Sequence, residues 1–426
     1  MISRRSALAS TAGLAATACS GSGDGHSIRF WAMGREGEVA PELLAGFERE
    51  NPRIRLRIEQ LPWSAAHEKL LTAVAGDATP DVAQMGNTWL PEMAALGALE
   101  PLQPWLDTSP AIKPADYFDG IWRTNSVDGV AVGLPWYVDT RLLFVRRDLL
   151  QKAGVNEMPA TWADWLKACA ALQAIGVKTP LFLPPPPEFE PLLAFALQQD
   201  DAVLNDQGTR GNFSGPGFRR ALQFYLQLFE RGFAPGLSGN TVANIWQEIG
   251  RGTFAFYISG PWNIGEFKRR LPADLQDAWA TAPLPGPTGL GASVAGGASL
   301  VMFKRSTVKP LVWKLIEYLS RPAVQQQFYR LTGNLPPRRS TWALPMAGSQ
   351  TLAEDPHARA FFEQLTRVRA TPGVPEWERI AQEMQLAASR AAHAGVDIDT
   401  TVRKLDQRVD QILEKRRWML SRKAAG

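Results

Sequence analysis

Residues 27–84 read SIRFWAMGREGEVAPELLAGFERENPRIRLRIEQLPWSAAHEKLLTAVAGDATPDVAQ, with two helix-period segments set between three strand-period ones. Ser27 to Ala32 is a short β-prone run, and Arg53 to Glu59 alternates charged and apolar residues, the mark of a half-buried strand. Between them Pro41 to Glu50 reads as a helix through Leu43, Leu44 and Phe47. Trp63 to Ala75 is a second helix, with Leu70, Leu71 and Val74 inward and Gly76 as its stop. Pro80 to Gln84 is a short strand, and Leu90 to Leu96 a helix closed by Gly97. Alternation of this kind predicts an α/β fold with a mostly parallel sheet covered by helices.

Further along, Val130 to Leu134 and Leu142 to Arg146 read as strands, with Pro135 to Asp139 as the connection between them. Thr161 is placed to cap a helix, Phe218 to Arg231 forms another, and Phe254 to Ile258 reads as a buried strand. After the Pro/Gly-rich stretch 283–297, Ala298 to Phe303 resumes strand character. From Thr307 onward the pattern is helical, broken at 333–337 and 372–375, and Val402, Leu405, Val409 and Ile412 recur at packing intervals. No internal repeat is visible, and Pro184 to Pro187 reads as a stiff surface loop.

The chain has 426 residues, 45% hydrophobic and 21% charged, which excludes wholesale disorder and is enough for two to three ordinary domains or one large two-lobed one. Lys+Arg 46 against Asp+Glu 42 leaves +4, too little for a nucleic-acid binder. Two cysteines exclude a disulfide framework and a Cys-rich zinc site; Cys169 falls on a helix face with Trp165 and Leu172 and reads as a buried apolar residue.

Residues 1–18 have the layout of a cleaved export signal: Arg4 and Arg5 precede a small apolar run too short to span a bilayer. Ala16-Thr17-Ala18-Cys19 resembles a bacterial lipoprotein cleavage site, with Cys19 as the lipidated first residue; an ordinary small-residue cleavage site is the alternative. Residues 19–26 then form a flexible Gly/Ser linker, and the mature charge falls to +2 because two arginines leave with the signal. The expected location is periplasmic or cell-surface, anchored through Cys19.

The sequence is poor in catalytic signatures. His67-Glu68 continues Lys69-Leu70-Leu71 in place of the zincin spacing, and neither a phosphate loop nor G-x-G-x-x-G after the first strand is present. Gly291 to Ala295 misses the nucleophile elbow at its last residue. A glycosidase needs only two facing carboxylates, which 42 acids do not exclude. A binding protein without metal or cofactor is therefore the default, with a secreted carbohydrate-active enzyme (glycosidase or lyase) and a binder of a non-sugar solute such as a polyamine as rivals.

An ordered set of short stretches resembles the extracellular solute-binding proteins of bacterial ABC sugar importers, in the maltose- and trehalose-binding group. It comprises GDATPDV at 76–82, Trp89, GALEPL at 97–102, LPWYVDTRLLF at 134–144, RDLL at 147–150, KAG at 152–154, PATW at 159–162, GPW at 260–262, Gly296-Gly297 and TGNLPPR at 332–338. The resemblance implies a two-lobed periplasmic-binding-protein fold of type II, with a ligand cleft between lobes joined by crossing segments. We expect 27–135 and 289–337 in the N-terminal lobe and 138–288 and 340–426 in the C-terminal lobe. Crossings are expected near Trp136, Gly289 and Arg338. It also implies delivery of a small saccharide, such as the disaccharides maltose or trehalose, to permease subunits in the inner membrane by a monomer.

Sugars present apolar C–H faces and a rim of hydroxyls, so their sites need aromatic platforms and fixed polar partners. The resemblance makes Trp262 a platform through its Gly-Pro-Trp motif, with Trp136 and Tyr137 at the first crossing, Trp377 in the last quarter, and Trp89 as further aromatics. Arg35 and Glu36, on the loop after the first strand, are expected as polar ligands, since α/β sites form at strand carboxyl ends. Asn87, Asp139 and Arg338 match hydrogen-bonding positions of the group, and Gly297 would let backbone approach the ligand. Trp162, Trp165 and Trp313 are assigned to packing.

Overall fold

The computed structural model describes residues 27–183, 188–235, 245–346, 350–395 and 397–425. The expected signal segment 1–18, Cys19 with its linker, and the Pro184–Pro187 loop lie outside the described residues.

Two sheets organise the chain. The first contains β1 (Ser27–Met33), β2 (Arg55–Leu61), β3 (Val82–Gly86), β4 (Leu134–Asp139) and a late strand Gly296–Met302, in the order β2-β1-β3-late strand-β4. The first three are parallel, and the late strand is antiparallel to both neighbours. The second contains β5 (Leu142–Arg146), β6 (Leu181–Phe182), β7 (Phe256–Ser259) and β8 (Trp279–Ala282), ordered β8-β5-β7-β6. Beyond it Ser293–Val294 (β9) pairs with Val368–Arg369; the late strand of the first sheet is β10 and Val368–Arg369 is β11.

Both sheets are covered on two faces. In β5 the period-2 rule is literal: Leu143 and Val145 enter one core with Trp165, Cys169, Phe195 and Phe224, while Leu142 and Phe144 enter another with Phe267, Trp279 and Phe361. The first sheet packs Phe30, Trp136 and Leu300 against Leu43, Phe47, Ile316 and Phe328 on one side. Met33, Met85 and Phe303 meet Leu70 on the other.

The helices follow the sequence pattern with one instructive exception. α1 runs Gly34–Glu50, seven residues longer at its start than the Pro41 signal predicts, with Pro41 inside it. Proline costs one helical hydrogen bond, but Glu36, Gly37, Val39 and Ala40 are all buried, and that burial carries the helix through. Arg35 and Glu36 therefore stand on the first helical turn and not on a loop. α2 is Trp63–Ala75, as predicted, and α3 is Trp162–Ala174, capped by Thr161 through the Asp164 amide. α4 (Glu190–Leu197), α5 (Pro216–Glu230), α6 (Trp262–Arg270), α7 (Lys309–Leu319), α8 (Pro322–Thr332), α9 (Trp377–Ala394) and α10 (Ile398–Ile412) complete the main framework.

A second departure lies at residues 135–139, expected as a connection but folded as most of β4. Proline is tolerated because β4 is an edge strand and the pairing is bulged there. Ala298 faces Tyr137 and Ser299 faces Pro135, so Trp136 is the extra residue. The first sheet thus reaches Asp139, four residues past the expected lobe boundary, and the chain enters the second sheet at Leu142. The return passage sits at Ala295, between β9 and β10, and not near Gly289, because Val294 packs in the core of the second sheet.

Candidate ligand cleft

The carboxyl ends of β1 and β3, the end of β4 and the start of β10 open on one cleft of about 620 Å³, whose opposite wall comes from residues around the second sheet. Of the sequence-predicted residues it brings together Arg35, Glu36, Asn87, Trp89, Tyr137, Asp139, Trp262 and Gly297. Ligand sites of α/β sheets form at such strand ends.

Glu36 is 7% exposed, and its carboxylate accepts from Asn334 Nδ2 at 2.6 Å. Burial raises its pKa, against hydrogen bonds from its own backbone amide, Asn334, Tyr137 and Trp63 that lower it. Gln84 bridges outward from the sheet: its Oε1 accepts from the Met33 amide at 2.7 Å and its Nε2 donates to the Tyr137 hydroxyl at 3.1 Å. Burial, then Glu36 and Asp139, hold that phenol well above its ordinary pKa, so it stays protonated. Asn87 lines the cleft but spends its amide internally, donating to Thr124 Oγ1 at 2.7 Å and accepting from Ser299 Oγ at 2.8 Å.

Arg141 is the electrostatic centre. Nη1 donates to Asp139 at 3.0 Å, and Nη2 to Glu190 at 3.0 Å and Glu188 at 3.5 Å. Burial opposes its charge, but the three carboxylates hold it firmly protonated. Burial likewise drives Asp139 up to about 6, with Arg141 opposing and Glu190, Glu188 and Glu36 adding to the rise. Burial also raises Glu188 and Glu378, the latter set at the start of α9.

The Arg141 guanidinium also lies 4.7 Å over the Trp262 ring, a cation–π contact that orients the indole. A Cβ on Gly260 would overlap that ring, so glycine is what lets the indole fold back at the start of α6. On the first-sheet wall, Trp63 and Trp89 meet edge-to-face at 5.7 Å. Gly297 has φ +139°, and a Cβ there would overlap the Tyr137 carbonyl oxygen. It keeps β10 close to β4 at the cleft floor.

Three expected residues lie elsewhere. Trp136 is 1% exposed and stacks on Phe328 at 4.5 Å, because the bulge turns it into the core of the first sheet. Trp377 is fully buried behind the cleft wall, edge-on to the cleft-lining Phe189 at 6.1 Å. Arg338 is held by Asp116 at 2.6 Å and the Ser320 carbonyl at 2.7 Å, away from the cleft.

The sequence reading missed Trp63, Arg141, Glu188, Phe189, Glu190, Glu266, Asn334 and Glu378 as lining residues. Arg141 and Asn334 stand inside the quoted stretches 134–144 and 332–338, which was a usable signal. Glu188 to Glu190 follow a proline run and carried none.

The model of the bacterial extracellular solute-binding protein family matches residues 33–326. The solved structure of the sugar-binding protein MalE from the phytopathogen Xanthomonas citri is 55% identical, covering 93% of this chain and 99% of that one with a TM-score of 0.87. The GacH receptor of Streptomyces glaucescens, at 22% identity, shares the fold with a TM-score of 0.79, over 91% of this chain and 98% of that one. The maltodextrin-binding protein MdxE of Bacillus subtilis is 26% identical over 354 residues, 80% of this chain and 79% of that one. With two sheets, a cleft between them and this family match, the chain belongs to the bacterial extracellular solute-binding proteins and has their type II periplasmic-binding fold.

Proposed function

We propose that the protein captures a small neutral oligosaccharide, of disaccharide size such as maltose or trehalose, and delivers it to the permease of an ABC importer. The observation that carries this is the cleft itself: indole faces on both walls beside fixed carboxylates, in about 620 Å³. Small-molecule sites span about 300–1,000 Å³. Similarity to the Xanthomonas citri sugar-binding protein at 55% identity supports the same reading. Trp262 and the Trp63–Trp89 pair offer the apolar platforms. Glu378 Oε1 is a buried acceptor with no partner among the described residues, and a ligand hydroxyl supplies one.

The carboxylate surplus of the lining favours one second reading, a polyamine. Against it, Asp139, Glu188 and Glu190 share Arg141, and Glu266 pairs with Arg269 and Arg270. That leaves Glu36 and Glu378 for a ligand. A thermal-shift screen of mono- and disaccharides with spermidine decides between the two: ligand at 100 Kd adds about 2.7 kcal/mol of stability. A shift with spermidine alone refutes the sugar reading. Recovery of hydrolysed sugar would establish an enzyme.

In this reading the lobes built on the two sheets close over the ligand, and the protein works as a monomer held at the membrane by a lipid on Cys19. Scattering should show a smaller radius of gyration with saturating sugar, and identical curves would exclude closure. Cys19→Ala should move the protein into the soluble fraction; unchanged fractionation would remove the anchor.

A further inference from the structure

A separate surface lies on the helix Glu414–Ala425, here α11, none of whose residues lines the cleft. Its sequence EKRRWMLSRKAA holds five of the chain's 46 basic residues and one of its 42 acids, so the rest of the chain balances at 41 of each. The formal excess of +4 thus resides in these twelve residues.

The helix is fastened at its base. Leu413, just before it, is fully buried, and Arg417 one turn on donates to the carbonyls of Thr209 and Asp410, each at 2.7 Å. Past that turn Trp418 is 56% exposed, Met419 46% and Leu420 36%. These three consecutive residues are a concentration of exposed large apolar groups that folding alone does not explain. Lys415, Trp418, Met419 and Arg422 recur at i, i+3, i+4 and i+7, so cations flank apolar groups on one helical face. Arg422 lies 4.6 Å over the Trp418 ring.

We propose that α11 is an interfacial helix that docks the folded protein on an anionic phospholipid surface. Indole and thioether insert at the headgroup level while Lys415 and Arg422, on the same face, meet lipid phosphates, as aromatic and basic anchors do at a membrane surface. The charge selects this partner over a neutral apolar groove, because each basic residue near an anionic surface strengthens binding roughly fivefold. Docking here would be a second contact with the membrane, additional to any lipid on Cys19.

The test is sedimentation of the chain from Ser20 onward, which retains every described residue and carries no lipid, with phosphatidylglycerol vesicles and with phosphatidylcholine vesicles. We expect at least about tenfold stronger binding to the anionic vesicles, weakening as salt rises. Lys415→Glu with Arg422→Glu, and separately Trp418→Ala with Met419→Ala, should each reduce it at least about tenfold with melting temperature and sugar affinity unchanged. No binding to anionic vesicles overturns the proposal, as does binding that both variants retain. If vesicles are ignored but the variants lose sugar uptake with the intact importer, α11 docks on protein and the lipid assignment is wrong.

Discussion

Replacing Trp262 with alanine is the most direct probe of the cleft. The indole is half-buried, lines the cleft and is held from one side by Arg141 at 4.7 Å. An indole of about 150–250 Å² that stacks one face on a sugar removes roughly 80 Å² from water, and at about 25 cal/mol per Å² this contributes about 2 kcal/mol. Affinity should therefore fall about 30-fold by titration calorimetry. Stability should suffer much less, because Trp262 opens α6, where alanine is a good helix former, and Gly260 needs no compensating change. The melting temperature of the unliganded variant is the control. Affinity within about threefold of wild type, in a folded variant, would refute the platform role.

Trp136→Ala should behave oppositely, losing about 3–5 kcal/mol of stability by denaturant unfolding with a smaller effect on affinity, since it fills core beside Phe328; a variant as stable as wild type would return Trp136 to the cleft. Gly297→Ala forces a Cβ onto the Tyr137 carbonyl at φ +139° and should cost about 3 kcal/mol or more; an unchanged melting temperature would show that β10 and β4 do not need this close approach. Asp139 titrates near 6 when folded and near about 3.9 unfolded, so its contribution to stability is full below about pH 4 and is lost as pH rises through about 6. Two units correspond to about 3 kcal/mol, and since the side chain stays 26% exposed to cleft solvent, roughly half of that is expected. Asp139→Asn should flatten the melting profile between pH 4 and 6; parallel profiles would reject the burial argument.

The strands and helices were legible because their signals are local. Arg53 to Glu59 alternates in sequence and does so in space, and Trp63–Ala75 ends where Gly76 says it should. The misassignments share one physical origin, contacts distant in sequence. Trp136 and Trp262 both sit next to proline, yet one is core and the other cleft. What separates them is the register of β4 on β10, some 160 residues on, whose bulge turns Trp136 inward. Trp377 differs from its neighbour Glu378 only by one helical position, and that rotation puts the indole behind the wall and the carboxylate in it.

Arg141 shows why the polar half of the cleft was harder to foresee than the aromatic half. Its partners are Asp139 two residues away and Glu188 and Glu190 nearly fifty away, and no periodicity links them. Three carboxylates around one guanidinium in a cleft are costly to desolvate, and burial is the first cause of the rise of Asp139 toward 6, with Arg141 opposing it. The arrangement persists because Arg141 serves two walls at once. Through Asp139 it ties down the end of the first sheet, and through its contact with Trp262 it orients an indole beyond the second. Its own amide donates to Ser293 Oγ at 3.1 Å, which fastens the first passage between the sheets to β9 at the return passage. Charge, platform and inter-sheet connection therefore depend on the same side chain and its backbone, so one residue sets the indole, the end of the first sheet and the passage between the sheets.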